Sequence, residues 1–131
     1  MEPLPEVRVL QPRAGTAVVE CTGELDITNA HDLDRKLREL AVNELVVVDI
    51  SKAEFIDSSI IHCLVRAHRR SRDQGTQLRL QLQAGSAPVV EVALKLSRVL
   101  ELLDVANTRA EALAPRTGPQ RDVVGIRRFR S

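Results

Sequence analysis

Three residues with chemical potential stand together in the stretch EFIDSSII: the acid Asp57 and the hydroxyls Ser58 and Ser59. An acid beside two hydroxyls admits three readings. Asp57 can cap a helix by accepting the free backbone N–H groups of Ser59 or Ile60, an interaction of about 1 kcal/mol. Ser58 can be a nucleophile, which requires a general base and an oxyanion site. Or Ser58 can accept a phosphate, because a hydroxyl in a helix's first turn faces unpaired N–H groups and the positive end of the dipole. The cap excludes neither of the others. The surroundings argue against the nucleophile. The pattern is not GxSxG, GELD and QAGSAP are not phosphate-cradling loops, and His62, one turn on, falls among positions expected to face the core. The chain therefore reads as a non-enzyme, and the residues alone leave open whether Asp57 and Ser58 are simply a helix cap or also a place where another protein's chemistry acts.

The remaining reactive residues offer little more. Cys21 and Cys63 lie far apart and outside any CxxC pattern, so two buried thiols are expected, with a regulatory disulfide as the alternative. His62 and His68 are six residues apart and point in different directions on a helix, so neither a metal site nor a cofactor is expected. The two aromatic residues, Phe55 and Phe129, are too few for stacking on bases, and a net charge of +1 gives no field for a polyanion, so direct nucleic-acid binding is not expected. No apolar run approaches the roughly 20 residues of a membrane span, and MEPLPEVRVL lacks the apolar core of a secretory leader. A cytoplasmic location follows.

The residues are 44% hydrophobic and 28% charged, ordinary for a globular chain. The 131 residues read as one domain, 1–114, followed by an Arg- and Pro-rich segment, 115–131, expected to be flexible. Five arginines against one aspartate give that segment +4, leaving −3 for the rest.

The elements that must position Asp57 and Ser58 follow from periodicity. Val7 to Gln11 and Thr16 to Thr22 predict two strands around the turn PRAG, after which GELDIT breaks the pattern. Ala30, Leu33, Leu37, Leu40 and Ala41 form the stripe of a helix with Thr28 as its N-cap. The unbroken ELVVVDI predicts a strand covered on both faces, running from Leu45 to Ile50. A second helix opens at Asp57–Ser58, buries Ile60, Ile61, Leu64 and Ala67, gathers Arg66, Arg69, Arg70 and Arg72 in its later turns and ends at Gly75. QLRLQLQ alternates strictly, predicting a strand near the sheet edge with Arg79, Gln81 and Gln83 on a wet face. A third helix follows Ser86 and Pro88 with Val89, Val92, Ala93 and Leu96, LELLDV gives a short strand or turn, and a last helix begins near Thr108 with Glu111 at capping-box spacing. Alternation of strands and helices gives an α/β class: a mixed sheet of four to five strands, with an N-terminal hairpin and a parallel centre, packed with about four helices.

In sequence order, GELDITNAHDLDRKL, ELVVVDISKAEFIDSSII, RSRDQGTQLRLQL and ALKLSRVLELLDVANTRAEAL resemble the STAS domain of bacterial anti-sigma factor antagonists, over roughly Val7 to Leu113. The resemblance implies a partner switch in transcription. The unmodified antagonist binds an anti-sigma factor that is also a serine kinase and so frees a sigma factor. The kinase phosphorylates the Ser or Thr after the Asp of DS[ST]G, the antagonist lets go, and a serine phosphatase resets it. Carried over residue by residue, the acceptor is Ser58, between Asp57 and Ser59, with Asp26 of the GELD loop beside it. The binding surface implied comprises Gly23, Glu24, Leu25, Asp26, Phe55, Asp57, Ser58, Ser59 and Ile60. Where the family continues with glycine this chain has Ile60, expected at the docking surface, where it would slow the kinase's approach. The alternative is a STAS scaffold that is not phosphorylated, or a subunit of a stressosome-like or transport assembly. The sequence leaves the oligomeric state open.

Overall fold

The structure is a computed structural model and describes residues 5–115. The expected Arg-rich tail, apart from Pro115, lies outside the described residues. Among the described residues five strands form one sheet in the order β1-β2-β3-β4-β5: β1 (Glu6–Arg13), β2 (Thr16–Leu25), β3 (Leu45–Ile56), β4 (Gln77–Gln81) and β5 (Asp104–Ala106). β1 and β2 are an antiparallel hairpin turning at Gly15, whose φ of +77° suits glycine, and β2 to β5 run parallel. Among the described residues the helices are α1 (Ile27–Glu39), α2 (Ser58–Gln74), α3 (Pro88–Leu96), α4 (Val99–Leu102) and α5 (Arg109–Leu113), with a 3-10 turn at Leu40–Val42. The α/β class and the parallel centre agree with the reading from sequence.

β3 carries the fold. Leu45 to Ile50 are all buried, as an unbroken β-branched run requires when both faces are covered. Val46, Val48 and Ile50 join the larger core beneath α1 to α4, whereas Leu45 and Val47 join a smaller one beneath α5. α1 packs along α2, and Arg66 and Arg70 of α2 reach Asp34 of α1 at 3.7 and 3.9 Å.

Four expectations are corrected. β2 and β3 run on to Leu25 and Ile56, because residues 22–25 stay paired in parallel with residues 52–56 through two register shifts. Asp26, not Thr28, is the N-cap of α1: its Oδ1 accepts the Thr28 N–H at 2.9 Å, and Asn29 Oδ1 accepts the Asp26 N–H at 3.1 Å. α3 buries Val90 and Leu94 and leaves Val89, Val92 and Leu96 exposed.

β4 is the fourth. It lies between β3 and β5, and its supposed wet face is buried, with Arg79 and Gln81 each only 1% exposed. Strict alternation reported the pleat correctly but not that polar partners cover the second face. Arg79 Nε donates to Asp104 Oδ2 at 3.1 Å, its Nη1 to the Ala112 and Ala114 carbonyl oxygens at 2.7 and 2.6 Å, and its Nη2 to Gln77 Oε1 at 2.9 Å. Glu20, Asp49 and Gln81 stand in register across β2, β3 and β4. Arg109, the first residue of α5, spans that row: Nε donates to Gln81 Oε1 at 2.8 Å, and Nη2 to Glu20 Oε2 at 2.9 Å and Asp49 Oδ2 at 2.7 Å. The hydrogen bond from Arg109 is the largest influence on Glu20 and holds its carboxyl below the ordinary value of 4.5.

Arg109→Ala is expected to cost about 2 kcal/mol, less than a fully buried pair because about a third of Arg109 faces water. The lowered folded-state value of Glu20 adds stability that is complete above its unfolded value and is lost as pH falls through the folded one. The gap between wild type and variant should therefore be steady from neutral pH down to about 4.5 and narrow below it. Urea denaturation midpoints at neutral and acid pH measure this, and an equal gap at both would contradict the clasp.

Candidate functional site

β2 and β3 are parallel and finish level, with Leu25 opposite Ile56. Each then meets an aspartate that caps the following helix, Asp26 for α1 and Asp57 for α2. Asp57 Oδ1 accepts the backbone N–H groups of Ser59 at 3.0 Å and Ile60 at 3.3 Å, so the cap predicted from sequence forms. The cap fixes Ser58 as the first residue of α2, and its side chain is exposed.

Its counterpart on α1 is Ile27, the residue after the Asp26 cap, which is 59% exposed. Phe55, opposite Glu24 in the last turn of strand pairing, is 42% exposed. Glu24, Asp26 and Glu54 are exposed and Asp57 is partly so. One end of the sheet thus presents a hydroxyl among four carboxylates and two apolar side chains. With the cap expected at Thr28, the sequence does not single out Ile27, which the Asp26 cap makes the first residue of α1. The available signal was the repeated order in which an Asp follows a strand and the next residue opens a helix, in LDI and again in IDS.

Several implied surface residues cannot present side chains. Leu25 and Ile60 are fully buried in the larger core, and Gly23 is buried. The expectation that Ile60 lies at the docking surface is corrected. As the third residue of α2 it shares its inward face with Leu64 and Ala67, so its bulk meets the core and not a partner. Ser59 is half-buried. His62 is also corrected, because it is exposed and not core-facing, one turn along α2 on the same side as Ser58.

Among the described residues no base is hydrogen-bonded to Ser58, and no cluster of three His, Cys, Asp or Glu side chains could hold a metal. Cys21 and Cys63 are free and buried. Burial, more than any other influence, pushes Cys21 up to about 12 and Cys63 up to about 11. Cys63 Sγ donates to the Ala30 carbonyl oxygen at 3.5 Å, joining α2 to α1. No helix among the described residues is long and apolar enough to cross a membrane.

The STAS domain family model matches residues 8–112, which takes in the whole sheet except the first residues of β1, and every residue of this end. The chain belongs to the STAS domain family. Its fold is similar to that of an anti-sigma factor antagonist from Mycobacterium paratuberculosis, at 19% identity over 86% of this chain and 96% of that one, with a TM-score of 0.73. It is similar to the Bacillus cell fate determinant SpoIIAA in the phosphorylated form, at 17% identity over 82% and 96%, TM-score 0.65. It is also similar to a sulfate transporter family protein from Wolinella succinogenes, at 21% identity over 77% and 84%, TM-score 0.65. No curated protein sequence matches the chain.

Two outcomes check this geometry. Ile60→Gly should lose about 3 to 5 kcal/mol, the buried side chain and helix propensity together, in a denaturant titration; a loss under about 1 kcal/mol would place Ile60 outside the core. With thiolate scarce at pH 8, both cysteines should label slowly in the native protein and fast in denaturant. Rapid native labelling of either would contradict its burial.

Proposed function

We propose that the chain is an anti-sigma factor antagonist, a binding module without catalytic activity, whose partner is an anti-sigma factor with serine kinase activity. The supporting observation is the placement of Ser58: exposed, first in its helix, held by the Asp57 cap, at the end of the sheet that also exposes Ile27 and Phe55. The partner would cover these two apolar side chains and the backbone around them, leaving Gly23, Leu25 and Ile60 to shape the surface from beneath.

In the proposed switch the partner transfers the γ-phosphoryl group of ATP to Ser58. The bond from Oγ to phosphorus forms as the bond to ADP breaks, and the partner's base takes the hydroxyl proton. This chain supplies only the acceptor. The product needs no refolding, since the phosphate sits at the N-terminus of α2 where N–H groups and the dipole favour it. At the interface the same group is costly. It brings about −1.5 to −2 charges into a face already carrying Glu24, Asp26, Glu54 and Asp57, and it would have to be desolvated between apolar contacts. Release follows, and a serine phosphatase restores the hydroxyl.

A second reading is a STAS scaffold in a transport or stressosome-like assembly that is never phosphorylated. One observation favours it: the fold is similar to that of a sulfate transporter family protein as well.

Isothermal titration with a kinase-type anti-sigma factor separates the two. Ser58→Ala should bind like wild type and Ser58→Asp at least about tenfold more weakly. With ATP, intact-mass measurement should find one added phosphate at Ser58. Equal affinities of the two variants, or a phosphate at Ser59 instead, would overturn the switch.

A further inference from the structure

Nine residues make α3, from Pro88 at its first position to Leu96, beyond which Arg98 adopts a left-handed φ of 64° and stops it. Val90 and Leu94 take the inward face, fully buried. The outward face is also apolar. Val89, Val92 and Leu96, at i, i+3 and i+7, are 49%, 51% and 79% exposed. Single exposed apolar residues are commonplace, but three in one helical stripe require a reason.

Charge supplies it. Glu91 and Lys95, at i and i+4, flank the stripe on one side, and neither side chain has a hydrogen bond or ion pair among the described residues. A two-fold axis perpendicular to a helix reverses its direction while keeping the same flank on the same side. Centred beside Val92, such an axis sets Val92 over its own copy and Val89 over Leu96 of the second chain, twice. On the flank it sets Lys95 beside Glu91 of the second chain, also twice. One surface is thereby complementary to itself in both shape and charge, the defining condition of a two-fold contact.

We propose that the outward face of α3 is a docking surface for a second copy of this chain, paired antiparallel through Val89, Val92 and Leu96 and locked in register by Glu91 and Lys95. The inference is independent of any modification at Ser58. A helix of nine residues is about 14 Å long, so the contact is small and its association weak and concentration-dependent.

Sedimentation equilibrium of the full chain over a wide concentration range tests it. Wild type should rise toward twice the monomer mass as concentration increases. Leu96→Glu should weaken association at least about tenfold without loss of folding, since Leu96 is largely in water. Glu91→Lys alone and Lys95→Glu alone should each weaken association several-fold, and the double charge reversal should restore it. Association that survives Leu96→Glu, or that the double reversal fails to restore, overturns the pairing. A wild-type chain that is monomeric at every concentration also overturns it, and leaves the stripe to a different protein.

Discussion

β3 gives up none of its side chains from Leu45 to Ile50 to water, and the rest of the molecule answers that demand. A strand buried on both faces needs a layer on each. On one side α1 to α4 supply Leu33, Leu37, Leu64, Val90, Leu94 and Val99. On the other the cover is α5, five residues long, well below the dozen or more at which a helix is stable alone. Its apolar contribution is only Ala112 and part of Leu113, so polar bonds do much of the fastening. Arg109 binds the Glu20–Asp49–Gln81 row, Arg79 binds the last carbonyls of α5, and Arg13 Nη2 donates to the Leu113 carbonyl oxygen at 2.6 Å.

The same strand fixes the candidate site. Because β2 and β3 are parallel and end level, the two helices that follow them must start side by side. Asp26 and Asp57 meet the free N–H groups of those starts, and the next residues, Ile27 and Ser58, are turned outward by the same geometry. The result is an end of the sheet rich in exposed side chains. Under the proposed function such a domain acts through what it presents, and a change in the Ser58 hydroxyl would alter that presentation without disturbing the core.

Much of this was legible in the sequence because it rests on local rules. The β-branched run of β3, the Asp57 cap, the Gly75 stop of α2 and the Thr108 cap of α5 each depend on residues close in the chain, and each is found. The misreadings share a different origin. Arg79 and Gln81 alternate with leucines as a solvent-facing row would, and only residues more than twenty positions away reveal that they are buried. Val89, Val92 and Leu96 form as good a stripe as Val90 and Leu94, and tertiary contact decides which one faces the sheet. Helical periodicity places Ile60 in the buried stripe, as found, whereas the motif places it at the docking surface, because a motif conveys spacing and not direction. Ile27 escapes the sequence reading because GELD looks like a turn, and only the pairing of Gly23 to Leu25 with β3 shows that Asp26 ends a strand and caps the helix that Ile27 opens.

Amide hydrogen exchange of the unmodified chain, with and without a kinase-type anti-sigma factor, addresses the display of Ser58 most directly. Slowed exchange on binding is predicted at residues 24–28 and 54–59, the paired strand ends and the first turns of α1 and α2, with α5 and β4 unchanged. Saturated binding that leaves both stretches unchanged, with protection elsewhere, would contradict the assignment of this end of the sheet as the functional site.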